Sequence, residues 1–205
     1  MAATEEYCLP LSAAATRSEQ ENALRQAIID SLGMALLGQP TTAAHTGQHL
    51  ATEAWQPLLG DSPYRWCRGA HDGLLILPGS FNPVHDGHYQ MLAAAEQLTG
   101  MTGAFELNLR NADKPDLDYL SAAERLEAIS GQPVWLTNQA SFAAKAELFP
   151  KATFVLGTDT MARIGEPRFY HNSAKARDEA IESLHRLGIR FLVLGRIAQQ
   201  RFVTL

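Results

Sequence analysis

Two histidines, His85 and His88, stand three residues apart in the segment Gly79-Ser80-Phe81-Asn82-Pro83-Val84-His85-Asp86-Gly87-His88. A short apolar run, Leu74 to Leu77, precedes the segment, and a helical pattern from His88 to Leu98 follows it. A loop between a buried strand and a helix suits an anion, because the first amides of a helix lack partners and sit at the positive end of its dipole. Gly79 lets the backbone leave the strand without a side chain in the way, Pro83 stiffens the loop, and Gly87 permits close approach of the two imidazoles. Gly79, Ser80, Phe81, Asn82 and Gly87 are therefore expected to bind a phosphate together with His85 and His88. Two histidines at this spacing could also be half of a zinc site, but neither Cys8 nor Cys67 lies near in sequence to complete it. No metal held by protein side chains is expected.

Other residues that could meet a ligand are spread along the chain. Gly157 and Asp159 form a Gly-x-Asp element after an apolar run; they could contact a nucleotide, or Gly157 could end a strand and Asp159 cap the next helix. Lys114 in the Asn-Ala-Asp-Lys-Pro stretch and Arg196 after the last apolar run could reach a substrate. Arg125 lies on a helical pattern, where a surface ion pair is the plainer reading. Trp135 and Phe142 could stack a base, but aromatics at a strand end and on a helix are usually core.

These residues need a frame. Apolar runs at 74–77, 104–109, 134–136, 153–156 and 191–194 alternate with helical patterns at 88–98, 121–129, 142–148 and 175–187. Such alternation predicts a parallel sheet with helices on both faces, a Rossmann-like doubly wound α/β fold. Ligands bind such sheets at the carboxyl ends of the strands. Ser121 and Glu124 have the spacing of a capping box. Before residue 73 the pattern differs. Leu24, Ile28, Leu32 and Leu36 recur every four residues on a helix expected over 18–37, capped near Ser18, and a second helix is expected from about Thr42 to Leu59. Residues 62–73 read as loop. The expected division is a helical N-terminal extension, 1–72, and an α/β domain, 73–205. The leucine stripe suits a dimerisation arm of a homo-oligomer or a cap on the core, and His45, His49 and His71 are expected at the surface.

The 205 residues carry 17 Lys and Arg against 22 Asp and Glu, a formal charge of −5, which argues against a broad grip on nucleic acid. At 46% hydrophobic residues the chain has material for a real core, which excludes a disordered chain. Two cysteines exclude a disulfide scaffold and suit a reducing compartment. With no run of about 18 apolar residues and no basic leader before one, a cytoplasmic protein without membrane attachment is expected.

The GSFNPVHDGH segment resembles the HxGH signature of the nucleotidyltransferase superfamily. FELNLRNADKP at 105–115, WLTNQASFAAKAELFP at 135–150, FVLGTDTMARI at 154–164 and FLVLGR at 191–196 are similar to a cytidylyltransferase-like group close to the nicotinate and nicotinamide mononucleotide adenylyltransferases. The resemblance implies transfer of an adenylyl group from ATP, carried with Mg2+, to a phosphate-bearing small-molecule acceptor such as those mononucleotides, as in NAD biosynthesis. Pyrophosphate leaves and no covalent enzyme intermediate forms. His85 and His88 would then stabilise the transferring phosphates, with Ser80, Phe81 and Gly87 supplying amides or a hydroxyl. A cytidylyltransferase with another acceptor is the alternative within the class. The family's second signature, an ISSTxxR-like segment whose Ser, Thr and Arg hold the β- and γ-phosphates, is absent from these 205 residues and would follow Leu205. A chain without it is expected to bind nucleotide weakly and transfer slowly, which leaves a catalytically impaired binding module as the reading from a different class.

Overall fold

The computed structural model describes residues 3–37, 44–110, 116–198 and 201–203. Lys114 lies outside them. The chain divides into two compact units, Met1–Ala51 and Thr52–Leu205.

In the first unit, β1 (Ala3–Cys8) pairs antiparallel with β2 (Ala44–Leu50), and the helix α1 (Arg17–Leu37) lies between them in sequence. The helix matches the expected range, but its cap is Thr16 rather than Ser18. The Thr16 amide donates to the Glu19 carboxylate at 2.7 Å and the Glu19 amide donates back to Thr16 Oγ1 at 3.4 Å. The Thr16 hydroxyl, donating to the same carboxylate at 2.8 Å, and then the Thr16 amide hold the Glu19 carboxyl below its usual range. The leucine stripe is exposed. The expected second helix is not formed: β2 occupies its first half, and a 3-10 turn, Glu53–Leu59, its second. Two local causes act against a helix there. Pro57 removes an amide from the middle of the segment, and Gly47 with β-branched Thr46 weakens the helical preference of the run that pairs with β1.

In the second unit six strands form one sheet in the order β3-β6-β5-β4-β7-β8. They are β3 (Arg65–Arg68), β4 (Leu75–Gly79), β5 (Ala104–Asn108), β6 (Val134–Thr137), β7 (Thr153–Gly157) and β8 (Arg190–Leu194). All pairs are parallel except β3 with β6. β3 falls in the stretch expected to be loop, so the sheet begins before residue 73. Its four residues, Arg-Trp-Cys-Arg, are too short and too polar at their ends to show a period. Their place comes from β6 and from Arg68, whose guanidinium donates to the Leu126 and Ile129 carbonyls. Arg65 lies over the Trp135 and Phe149 rings at 4.7 and 4.8 Å.

The helices are α2 (Asp86–Thr99), α3 (Tyr119–Ala128), α4 (Phe142–Leu148), α5 (Thr158–Ile164) and α6 (Ala174–Arg186). Side chains on β5 show that helices cover both faces. Phe105 meets Tyr89 of α2, whereas its neighbour Glu106 meets Lys145 of α4. Asp118 rather than Ser121 caps α3, accepting from the Ser121 amide at 2.9 Å, and that bond lowers the Asp118 carboxyl. Trp135 and Phe142 are core: Trp135 packs edge-on against Phe149, and Phe142 against Phe154 and Phe191. β8 is not the last strand. Arg196 opens β9 (Arg196–Ala198), which pairs antiparallel with β10 (Arg201–Val203).

His71 departs from the surface placement. Its ring is buried, its Nδ1 accepts from the Gly73 amide at 2.9 Å and the Trp135 indole at 3.1 Å, and its Nε2 faces the Thr102 carbonyl at 3.0 Å. That set of partners fits the tautomer with the proton on Nε2. Both cysteines are free thiols. Among the described residues no helix is long and apolar enough to cross a membrane.

Candidate active site at the carboxyl end of the central strands

From β4 the chain runs to β5 and β6 on one side of the sheet, then returns past β4 to β7 and β8 on the other. The switch point is therefore between β4 and β7, and in sheets of this kind ligands bind there, outside the carboxyl ends of the strands. Ile76 registers with Phe154, so the two strands run out together at Gly79 and Gly157.

The loop after β4 is shaped by Phe81. Its ring is 2% exposed and packs edge-on against Phe105 and His88 at 5.0 and 5.1 Å, while its backbone takes φ +44°. A bulky residue in that left-handed region costs about 1–3 kcal/mol and persists only where its surroundings insist on it. Burial of the ring supplies that insistence. The ring also explains Gly79, where a Cβ would stand 2.6 Å from the Phe81 ring.

His85 sits at the start of α2 with His88 one turn on. The rings stack, with centroids 3.8 Å apart, and the His85 amide donates to His88 Nδ1 at 3.2 Å. With Nδ1 used as an acceptor, the neutral ring carries its proton on Nε2, which leaves Nε2–H to donate elsewhere. Burial, and then the neighbouring His85, push the His88 pKa below its ordinary value. The His85 ring also lies over Gly87, where a Cβ would stand 3.1 Å from its Nδ1 and Cε1. Ser80, Asn82 and His85 are exposed on the same loop, so the polar groups of the segment face outward.

Gly157 is the N-cap of α5 and a Cβ there would meet nothing within 4 Å, so its strand end borders open space. Asp159 lies in the first turn of α5 and is not its cap. Gly157 and Asp159 thus follow the carboxyl end of β7, and β7 is the sheet neighbour of β4, whose own end opens into the loop carrying Gly79, Ser80, Phe81, Asn82, Gly87, His85 and His88. Arg196 lies on β9, beyond the end of β8.

Neighbouring carboxyl ends are tied by two amides and an arginine that the sequence did not mark. Asn108 donates to the carbonyls of Arg110 and Gln139, the latter at 2.9 Å, joining the loops after β5 and β6. Asn138 donates to the Gly60 and Ser62 carbonyls at 3.1 and 2.8 Å and accepts from the Tyr64 amide at 2.9 Å. Arg110 reaches the Gly60 carbonyl and Asp61. Below them, Glu106 accepts from Lys145 Nζ at 2.7 Å and from Thr137 Oγ1 in the buried interior. An isolated polar residue in a strand pattern reads as surface; only pairing between strands could reveal these contacts.

Residues 76–202, from β4 through most of β10, match the cytidylyltransferase-like family, and the chain belongs to that family. Membership places it in the nucleotidyltransferase superfamily. No curated protein matches the chain.

Proposed function

We propose that the protein is a cytoplasmic nucleotidyltransferase that moves an adenylyl group from ATP to a mononucleotide such as nicotinate or nicotinamide mononucleotide. The observation that carries the reading is the stacked His85–His88 pair in the loop after β4, where His88 Nδ1 accepts from the His85 amide and Nε2 is the ring nitrogen left to meet a ligand. In this reading a phosphate oxygen of the acceptor attacks the α-phosphorus of ATP. The bond from that phosphorus to the bridging oxygen breaks, and pyrophosphate leaves with the electron pair. His85 and His88 donate hydrogen bonds to phosphate oxygens that gain charge as that bond breaks, and Ser80, Phe81, Asn82 and Gly87 cradle the phosphates. Gly157 and Asp159 border the nucleoside, and Lys114 and Arg196 are assigned to the acceptor.

Magnesium carried by the triphosphate would screen its charge. Among the described residues no three His, Cys, Asp or Glu side chains are grouped to hold a metal ion.

The test is calorimetric titration of Mg-ATP into the protein and into the His85→Ala/His88→Ala variant. A pyrophosphate-release assay with nicotinate mononucleotide, nicotinamide mononucleotide and phosphopantetheine follows. Binding lost in the variant and release with either pyridine mononucleotide support the proposal. Release with phosphopantetheine alone replaces the acceptor. Binding without any release overturns the transferase, and no binding overturns the phosphate site.

A further inference from the structure

A triphosphate brings several negative charges to the loop of residues 79–88, which contains Asp86 and neither lysine nor arginine. The positive charge comes from another element. Arg125 of α3 donates from its guanidinium to the Ser80 carbonyl at 2.9 Å, across 45 residues of sequence. Among the described residues it is the only lysine or arginine hydrogen-bonded to that loop, and its partner is a carbonyl rather than the carboxylate of a surface ion pair. We infer that Arg125 is the positioning residue of the nucleotide site, turning the Ser80–Phe81 peptide so that the Phe81 amide faces the phosphates. The inference rests on the nucleotide reading given above.

The geometry is that of a trans peptide, whose carbonyl and amide point in opposite directions. With the Ser80 carbonyl held toward α3, the Phe81 N–H points away from α3. That amide has no protein acceptor among the described residues. Phe81 is also the residue with the left-handed backbone, so the peptide before it is the one whose rotation would release the strain. The buried ring fixes one side of this peptide and the guanidinium fixes the other. A carbonyl paired with a cation also removes a negative dipole that would otherwise face an arriving anion.

α3 does not depend on Arg125 for its own place. Asp118 caps its start, Tyr119, Ala122 and Leu126 are buried, Arg68 holds the Leu126 carbonyl near its end, and the Ser130 amide donates to the hydroxyl of Tyr89 on α2. Replacing Arg125, which is only partly buried, leaves these contacts intact.

The test compares Arg125→Gln and Arg125→Lys with the wild-type full chain, reading Mg-ATP affinity by calorimetry, thermal midpoint without ligand, and the amide resonance of Phe81. For the loss of a charged hydrogen bond the expected drop in affinity for Arg125→Gln is roughly 10- to 100-fold. Its midpoint stays at the wild-type value and the Phe81 resonance moves. Arg125→Lys is expected to recover only part of the affinity, since an ammonium restores charge but not the planar fork. Wild-type affinity in Arg125→Gln, or an unmoved Phe81 resonance, overturns the inference while leaving the nucleotide site standing. A wild-type protein that binds no nucleotide overturns that site and the inference with it.

Discussion

Two polar clusters lie near the carboxyl ends of the same parallel sheet, and they spend their polar groups differently. Beneath the ends of β5 and β6, Glu106 and Lys145 are 0% and 6% exposed, and each finds the other, with Thr137 and Asn108 closing the set. In the loop after β4, His88 uses one ring nitrogen within the protein, while Ser80, Asn82 and His85 stand at the surface. The first cluster is satisfied internally and therefore positions loops. The second keeps donors unspent at an open edge, the arrangement expected of a site that must exchange protein for ligand contacts.

The largest way to break this contrast is to leave the buried pair half made. Lys145→Met strands the Glu106 carboxylate without its cation and is expected to cost about 3–5 kcal/mol of stability in denaturant unfolding. Unchanged stability would show that the cluster is wetter than its geometry implies. In the open cluster the effect moves from stability to chemistry. His88→Ala should slow the proposed adenylyl transfer by roughly 10²- to 10³-fold, as for one lost transition-state donor, with little change in the unfolding midpoint. A fall in midpoint without a fall in rate would make His88 a structural residue like His71.

Gly79→Ala sits between these cases. Its Cβ would meet the Phe81 ring at 2.6 Å, so overpacking of about 1–3 kcal/mol is expected, together with weaker nucleotide binding because the ring carries the loop. Loss of stability with full affinity would separate the ring from the loop.

The smallest effect is a pH dependence. In the free protein the His88 pKa lies below its ordinary value of about 6.5, so unfolding takes up a proton as the pH falls through that value. The contribution of His88 to stability is therefore fully present above about pH 6.5 and is lost on going below it. A bound polyanion opposes this by favouring the imidazolium. Nucleotide binding should then take up protons as the pH falls below the ordinary imidazole value of about 6.5, and affinity should rise with it, measurable by calorimetry in buffers of different ionisation enthalpy. A binding enthalpy independent of buffer would remove His88 from contact with the phosphates.

The helix and strand runs of the α/β unit were readable because each carries its own period: four of the five apolar runs became buried strands of the parallel sheet. The His85–His88 loop was readable because glycines and histidines cluster there within ten residues. β3 was hidden because Arg65–Arg68 pairs antiparallel with a strand some 70 residues on, and β2 because its partner β1 lies more than 35 residues back. His71 read as a surface residue because nothing local shows that Trp135 would donate to it.

By itself the sequence determined the alternation of strands and helices and the position of the His85–His88 loop, since both depend on residues within a turn or two of one another. Only the tertiary structure decided that Arg125 serves the loop at Ser80 and that Glu106 and Lys145 neutralise each other. It also showed that Asn108 and Asn138 knit three loops into one wall. Each of these is a contact between residues distant along the chain. A hydrogen bond acts over about 3 Å of space, and which groups come that close is set by the sheet order rather than by any local pattern.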